Sequence, residues 1–183
     1  MKTKSIQFAK LTESAVAILN KVADPKSAAS ELIPLLCGWF DCQWGTYWHV
    51  DSTKLLLTPA FCWNNESCRA EKLRRDTDTR SLTLSEGTAG HVWRMGIPVC
   101  TENLVRDMCL PRSLGASEAG LRGGIWFPIR NYQTTFVIVE LLGRHYWTCD
   151  ERFMGELTLL GAELGKVCMN KLRRTATAGP QNN

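Results

Sequence analysis

The sequence predicts an α+β domain built on an antiparallel sheet. Three observations lead to this fold class: apolar residues recur at helical spacing near both ends of the chain, two hairpins lie between these helices, and a long irregular stretch separates the hairpins. This stretch begins at Glu86 and leads into a strand at Gly124, and we call residues 86–123 the lid. With the helices on one face of the sheet, the lid has to cover the other. A small molecule would bind in the cavity between sheet and lid.

Two helices are predicted at the start of the chain. Ser5–Val22 carries its apolar residues at roughly helical spacing, which is typical of an amphipathic helix. Asp24 and Pro25 break this pattern. Lys26–Phe40 forms the second predicted helix, with Pro25 just ahead of its first turn, where proline is well tolerated.

The first hairpin follows directly. In Cys42–Val50 the side chains alternate with a period of two and aromatic residues lie on both faces, which predicts a central strand covered on both sides. Lys54–Trp63 returns as the second strand, and Pro59 within it predicts a bulge or an edge position. The charged stretch Asn64–Arg80 is predicted to be a loop with one helical turn.

Glycines divide the lid into short elements. Gly87–Gly96 is predicted to be a helical segment that Gly96 ends, because glycine adopts the left-handed conformation without steric cost. Ser113–Ala119 is predicted to be a second short helix, and Gly120 ends it in the same way. Irregular connections of this length inside compact domains tend to be functional.

A second hairpin and a long helix complete the chain. Gly124–Ile129 and Tyr132–Leu142 are predicted strands, and Glu140 is the one charge in the apolar run of the second. A carboxylate there has to be solvated, hydrogen-bonded or protonated. Asp150 is predicted to cap the last helix, Glu151–Arg174.

Composition and charge exclude several classes of protein. The net charge of +4 comes from 22 basic and 18 acidic residues, a mixed surface unlike the concentrated basic surface of a nucleic-acid-binding protein. No stretch approaches the ~20 apolar residues that cross a bilayer, and the first residues lack a signal-peptide core, so we expect a cytoplasmic protein. Its eight cysteines contain no Cys-x-x-Cys pair and show no ligand spacing with the histidines. We therefore expect free thiols and no zinc site.

The length of 183 residues fits one domain with helical extensions. We expect an N-terminal helix over residues 1–24, the main domain over residues 25–172 and a disordered tail over residues 173–183.

Several motifs together resemble a known family, the GAF domain, the ligand-sensing module of many bacterial signalling proteins. The resemblance covers roughly residues 28–171 and is greatest to GAF domains placed ahead of histidine kinase or diguanylate cyclase modules. The matching segments are Trp44–Asp51, Gly87–Val99, Glu118–Arg122, Phe127–Ile129, Val139–Leu142 and Leu160–Gly165.

The resemblance implies a six-stranded antiparallel sheet, with the N- and C-terminal helices on one face and a lid of short helices and loops over a pocket on the other. It also implies a homodimer formed through the terminal helices. GAF ligands include cyclic nucleotides, bilins, haem and metabolites, so the cofactor stays unknown.

The chain departs from the GAF branches with known chemistry. Cys109 is followed by Leu110 and not by the histidine of bilin-binding members, and the Asn-Lys-x-Asp signature of cyclic-nucleotide members is missing. Gly87–Gly90 lacks the cysteine of the branch that reduces free methionine sulfoxide. These departures imply a chain that is not an enzyme.

The predicted ligand-binding residues follow from strand alternation and from the resemblance. Trp48 and Trp126 either line a pocket or fill a closed core, since aromatic residues dominate ordinary cores. Glu140 either contacts a ligand or accepts hydrogen bonds from the lid backbone. His91 either ligates haem iron or is a solvated surface residue. The full predicted set is Thr46, Trp48, Trp63, Val92, Trp93, Trp126, Pro128, Glu140 and Leu142.

Three functions follow from these features. The main hypothesis is a non-catalytic sensory GAF domain that binds a small ligand between sheet and lid and relays the signal through its terminal helices to a partner subunit or to a kinase or cyclase module. The alternative is a thiol-based redox enzyme or sensor that uses the lid cysteines Cys100 and Cys109. A third hypothesis is a ligand-free structural dimerisation module with a filled core.

Overall fold

The computed structural model describes residues 2–104, 112–132 and 134–177. A short 3-10 helix, Pro25–Ala28, lies between the first two α-helices. In chain order the elements are α1 (Lys2–Lys21), α2 (Ala29–Trp39), β1 (Trp44–Asp51), β2 (Leu56–Asn64), α3 (Glu71–Asp78), α4 (Gly87–Met95), β3 (Val99–Thr101), α5 (Ser113–Glu118), β4 (Gly123–Asn131), β5 (Thr134–Gly143) and α6 (Glu151–Thr177).

The strands form one antiparallel sheet in the order β2-β1-β5-β4-β3. This confirms the α+β class, but the expected count of six strands is wrong for the described residues, which form five. A single bridge between Leu57 and Leu82 extends the sheet beyond β2, since Leu82 pairs with β2 without forming a strand of its own. The register of β1 against β2 shifts near Pro59, and β2 is the edge strand of the five, so the prediction of a bulge or an edge position for this proline is confirmed.

The helices α1, α2 and α6 cover one face of the sheet. α6 packs on β4, and α1 packs on α6. The buried side chains of this face are almost all apolar, and the largest come from Tyr47 on β1 and Phe127 on β4. This helix-facing core extends through Leu11, Ala15 and Leu19, so α1 belongs to the same hydrophobic core as the sheet.

The helices α3, α4 and α5 lie over the opposite, lid-facing side. α4 contacts β4 and β5, and α5 contacts α3. Gly96 ends α4 with a φ of 66°, and Gly120 follows α5 with a φ of 76°, which explains why both positions are glycine. The apolar core of this side contains three indoles, those of Trp44, Trp48 and Trp126.

Two helices differ from the sequence-based expectation. The charged stretch after β2 forms the two-turn helix α3, because Leu73 and Thr77 pack inward. The last helix continues to Thr177, three residues beyond the predicted end. Asp150 caps this helix as predicted, its Oδ1 accepting a hydrogen bond from Phe153 N at 2.7 Å. In the described part of the chain, no helix has the length and apolar character needed to cross a membrane.

Candidate functional site

The lid-facing side of the sheet encloses a carboxylate that has no access to solvent. Glu140 lies on the central strand β5, directly between Thr46 on β1 and Trp126 on β4 in the register of the sheet, and its exposure is 0%. Side chains on adjacent antiparallel strands at such positions point to the same face and lie within contact distance. The sheet itself therefore gathers these three polar groups.

Four groups donate hydrogen bonds within this cluster. Trp126 Nε1 donates to Glu140 Oε2 at 2.9 Å, and Thr46 Oγ1 donates to Oε1 at 3.0 Å. Trp44 Nε1 lies 3.3 Å from Oε1 and 2.9 Å from Thr46 Oγ1. Arg112 Nη2 donates to Oε2 and forms an ion pair with it. Both carboxylate oxygens are thus satisfied from several directions, which removes most of the penalty of burying the charge.

Arg112 fills the space above the carboxylate. It lies just before α5, has an exposure of 3%, and its Nη1 donates to Thr77 Oγ1 on α3 at 2.7 Å. The guanidinium carbon lies 5.1 Å from the centroid of the Trp48 ring, in the range of a cation–π contact. We call Trp44, Thr46, Trp48, Arg112, Trp126 and Glu140 the Glu140 cluster.

The electrostatics of the cluster keep Glu140 ionised. Burial alone would raise the pKa of this carboxyl, but the charge of Arg112 and the hydrogen bonds from Arg112, Trp126 and Thr46 outweigh burial and lower the pKa below its ordinary value. Two polar atoms of the cluster, Trp48 Nε1 and Arg112 Nε, are buried and have no hydrogen-bond partner among the described residues.

Most of the sequence-predicted residues lie on the lid-facing side. Thr46, Trp48, Val92, Trp126, Glu140 and Leu142 are buried there, and Trp93 packs against them at the surface. Pro128 is also buried and pairs with Ile138, which belongs to the same apolar core. His91 is exposed.

Trp63 is the exception, because it lies on the helix-facing side of the sheet. It pairs with Gly45, whose position faces Ile33 and Cys37 of α2, and its side chain packs against the helix-facing core. The bulge near Pro59 sets this register, and register decides which face a side chain occupies.

Sequence reasoning missed Arg112 and Trp44. Trp44 alternates with Thr46 and Trp48 on one strand, so the pattern that identified those two also contained it. Arg112 gives a weaker signal: a buried carboxylate requires a cation, but the chain offers 22 candidates.

A second chemical feature lies at the edge of the lid. Cys100 on β3 and Cys149, just ahead of α6, form a disulfide with a Cα–Cα distance of 6.0 Å, inside the usual range of about 4.4–6.8 Å. The bridge corrects the expectation of free thiols for these two residues. Cys109, the partner considered from the sequence, lies outside the described residues, and Cys149 was missed because 49 positions separate it from Cys100.

The other described cysteines are poor nucleophiles. Cys37, Cys42, Cys62, Cys68 and Cys168 are free. Burial raises the pKa of the Cys168 thiol to about 11 and that of the Cys62 thiol to about 12, and it raises the pKa values of Cys37, Cys42 and Cys68 as well. Since the thiolate is the reactive form, thiol chemistry in the described chain centres on Cys100 and Cys149.

Comparison with known proteins gives matches to solved structures alone. No protein-family profile matches the chain, and no curated protein does. The free methionine-R-sulfoxide reductase of Neisseria meningitidis, in complex with its substrate, superposes with a TM-score of 0.70 at 15% identity, over 91% of each chain.

GAF domains superpose equally well. The nlh2 GAF domain of A. aeolicus gives a TM-score of 0.67 at 15% identity, covering 92% of this chain and 98% of its own. The GAF domain of a phosphoenolpyruvate-protein phosphotransferase from Coxiella burnetii gives 0.69 at 14% identity, covering 93% and 98%.

These matches overturn one expectation. The prediction that the chain is not an enzyme is contradicted, because the structures similar to it include reductases as well as sensor domains. At these identities the similarity establishes the fold and leaves the activity to the residues of the site. The chain has the fold of GAF domains.

Proposed function

We propose that the chain is a thiol–disulfide redox protein in which Cys100 and Cys149 alternate between a dithiol and a disulfide. The observation that carries this proposal is the bridge between them, which joins the edge strand of the lid to the start of α6. Both residues are partly exposed, whereas burial suppresses the reactivity of the other described thiols. A pair that cycles in this way is compatible with a cytoplasmic location, which we retain as part of the proposal.

The reaction balances with an oxidant that accepts two electrons. In the reduced protein, Cys100 and Cys149 each lose a proton and together lose two electrons as the S–S bond forms. A sulfoxide takes up the two protons and two electrons and gives a sulfide and water; a hydroperoxide gives an alcohol and water. A cellular thiol then returns the pair to the dithiol.

A sulfoxide is the first substrate to test. The Neisseria protein of the same fold is named as a reductase of free methionine-R-sulfoxide. Cys100 pairs with Ile125 of the helix-facing core, so the bridge lies on the opposite face of the sheet from the Glu140 cluster, and the sulfoxide is expected to react at the bridge itself.

The proposal is tested by counting thiols during turnover. The reduced protein is mixed with methionine sulfoxide or with an organic hydroperoxide, and the loss of thiols and the yield of methionine or of the corresponding alcohol are measured. We expect two thiols to disappear per product formed and a Cys100–Cys149 peptide to appear by mass spectrometry. Cys149→Ser should abolish both, whereas Cys62→Ser should retain them. Equal thiol loss in wild type and Cys149→Ser would overturn the proposal.

A second candidate function is ligand sensing, which the Glu140 cluster favours. A small molecule that binds there would displace Arg112, and the lid would transmit the change to α1 and α6, which pack together and could join two subunits. Thermal shift against a panel of amino acids and amines tests this candidate. A ligand that stabilises the wild type and not Glu140→Gln would support it, and a panel without any stabilising compound would count against it.

A further inference from the structure

We propose that the groove beside Cys149 is the docking site for a basic, apolar peptide segment of the dithiol protein that reduces the Cys100–Cys149 bridge. The inference rests on the proposed function and adds the reducing partner to it. The groove lies on the helix-facing side, between the start of α1, the end of α2 and the start of α6, and its volume is about 1010 Å³. We call it the aromatic groove.

The floor of the groove is a cluster of rings. Phe8, Phe40, Trp147 and Phe153 contact one another with ring centroids 5.8–6.3 Å apart, and Trp147 stacks on Phe153. Trp39 lies at the rim with 39% of its surface exposed. Rigid aromatic surfaces of this kind anchor apolar side chains of a partner at little cost in entropy.

The charged residues that line the groove indicate what kind of peptide segment it favours. Its charged lining residues are three carboxylates, Asp41, Asp150 and Glu156, and one guanidinium, that of Arg152, which pairs with Glu156 at 3.2 Å. Asp150 is engaged in capping α6, and Asp41, whose side chain is 88% exposed, lies 3.9 Å from His145 Nδ1. The chain as a whole carries a net charge of +4, so the groove is an acidic surface on a basic protein. An acidic groove of this size favours a peptide segment with lysine or arginine beside an apolar residue.

The position of the groove matches the exchange reaction. Thr148 and Asp150, the chain neighbours of Cys149, line the groove, and Cys149 between them is partly exposed without being one of the lining residues. The thiolate of the partner attacks Cys149 Sγ, the Cys100–Cys149 bond breaks, and Cys100 leaves as a thiolate that takes up a proton. A second thiol of the partner then attacks the mixed disulfide and releases Cys149. The partner loses two electrons and the bridge gains two.

The test compares two charge-reversed peptides as reductants of the oxidised full-length chain. The probes are acetyl-Lys-Phe-Cys-Lys-amide and acetyl-Glu-Phe-Cys-Glu-amide, and dithiothreitol serves as an uncharged reductant. Each peptide rate is divided by the rate of the same peptide with hydroxyethyl disulfide, which cancels differences in thiol reactivity. We expect the basic peptide to reduce the bridge about tenfold faster at low salt, with the ratio approaching one near ~0.5 M salt.

Two variants locate the effect. Asp41→Lys should lower the ratio at least severalfold without changing the dithiothreitol rate, whereas Glu163→Lys, an equal charge change at a partly exposed position of α6 outside the groove, should leave the ratio unchanged. Rapid alkylation should trap the basic peptide on Cys149. A ratio near one in the wild type, a ratio unaffected by Asp41→Lys, or trapping on Cys100 overturns the docking site and leaves the proposed function intact. If dithiothreitol releases no thiols from the oxidised chain, there is no bridge, and both the docking site and the proposed function are overturned.

Discussion

The helix-facing side of the sheet is packed with apolar side chains, whereas the lid-facing side encloses an ion pair and three indole groups. On the helix-facing side, the apolar side chains of α1, α2 and α6 pack against the sheet, and these contacts depend on how well the side chains fit together. On the lid-facing side, Glu140 is held by groups from β1, β4 and the start of α5, which converge from distant parts of the sequence. The helix-facing side therefore stabilises the fold through apolar packing. The lid-facing side holds buried polar groups, which are costly to bury and are the kind of groups that functional sites use.

Removing Arg112 should have the largest effect on stability. Arg112→Ala leaves the buried Glu140 carboxylate without its cation, and we expect a loss of about 3–5 kcal/mol in the free energy of unfolding. Arg75→Ala, a change of the same type at an exposed position of α3, should cost within about 0.5 kcal/mol. Urea denaturation measures both. A loss below about 1 kcal/mol for Arg112→Ala would show that the ion pair does not hold the lid-facing side together.

Removing the bridge should come next. The Cys100→Ser/Cys149→Ser double variant opens a loop of 49 residues and should lose about 2–4 kcal/mol relative to the oxidised wild type. Adding dithiothreitol should bring the thermal midpoint of the wild type down to that of the variant and leave the variant unchanged. A wild-type midpoint that does not respond to reductant would contradict a bridge at this position.

A packing change on the helix-facing side should have a smaller effect. A Cβ at Gly165 would overlap the carbonyl oxygen of Arg130, so Gly165→Ala should cost about 1–3 kcal/mol by forcing α6 away from β4. Gly155→Ala on the same helix meets nothing within 4 Å and should stabilise the protein by about 0.4–1 kcal/mol. Thermal or urea denaturation distinguishes them, and equal effects of the two substitutions would argue against close packing of α6.

The smallest predicted effect is the dependence of stability on pH that Glu140 on the lid-facing side contributes. The folded-state pKa of Glu140 lies below its ordinary value of 4.5, so the unfolded chain binds more protons as pH falls. The stabilisation is fully present above about pH 4.5 and is lost as the pH falls through the folded-state pKa. Glu140→Gln should therefore show a flatter decline of unfolding free energy between pH 5 and pH 3 than the wild type, whereas Glu163→Gln should match the wild type.

The sequence predicted best where short-range physics decides. Gly96 ends α4 and Asp150 caps α6 because each acts within one turn of its own helix. Glu140 was identified because a charged side chain in an apolar strand requires hydrogen bonds or an opposite charge, whichever part of the chain supplies them. These inferences needed no knowledge of tertiary structure.

The partners of these residues could not be predicted, because each depends on how distant segments meet. Arg112 is 28 residues from Glu140, and Cys149 is 49 residues from Cys100 in a chain with eight cysteines. The face of the sheet on which Trp63 lies depends on a register shift between β1 and β2. Pro59 indicates where this shift occurs, but the sequence does not indicate by how many residues the register shifts. The number of strands and the aromatic groove could not be predicted either, because no local sequence pattern indicates them.

The most direct test of the central claim is the redox equilibrium of the Cys100–Cys149 pair. The full-length chain is equilibrated in thiol–disulfide buffers of defined potential, and the fraction of bridge is measured by mass spectrometry after alkylation. A pair that cycles should be half reduced at a potential that cellular dithiols reach, above about −300 mV. A bridge that forms at no potential, or one that stays intact below about −300 mV, would contradict the account.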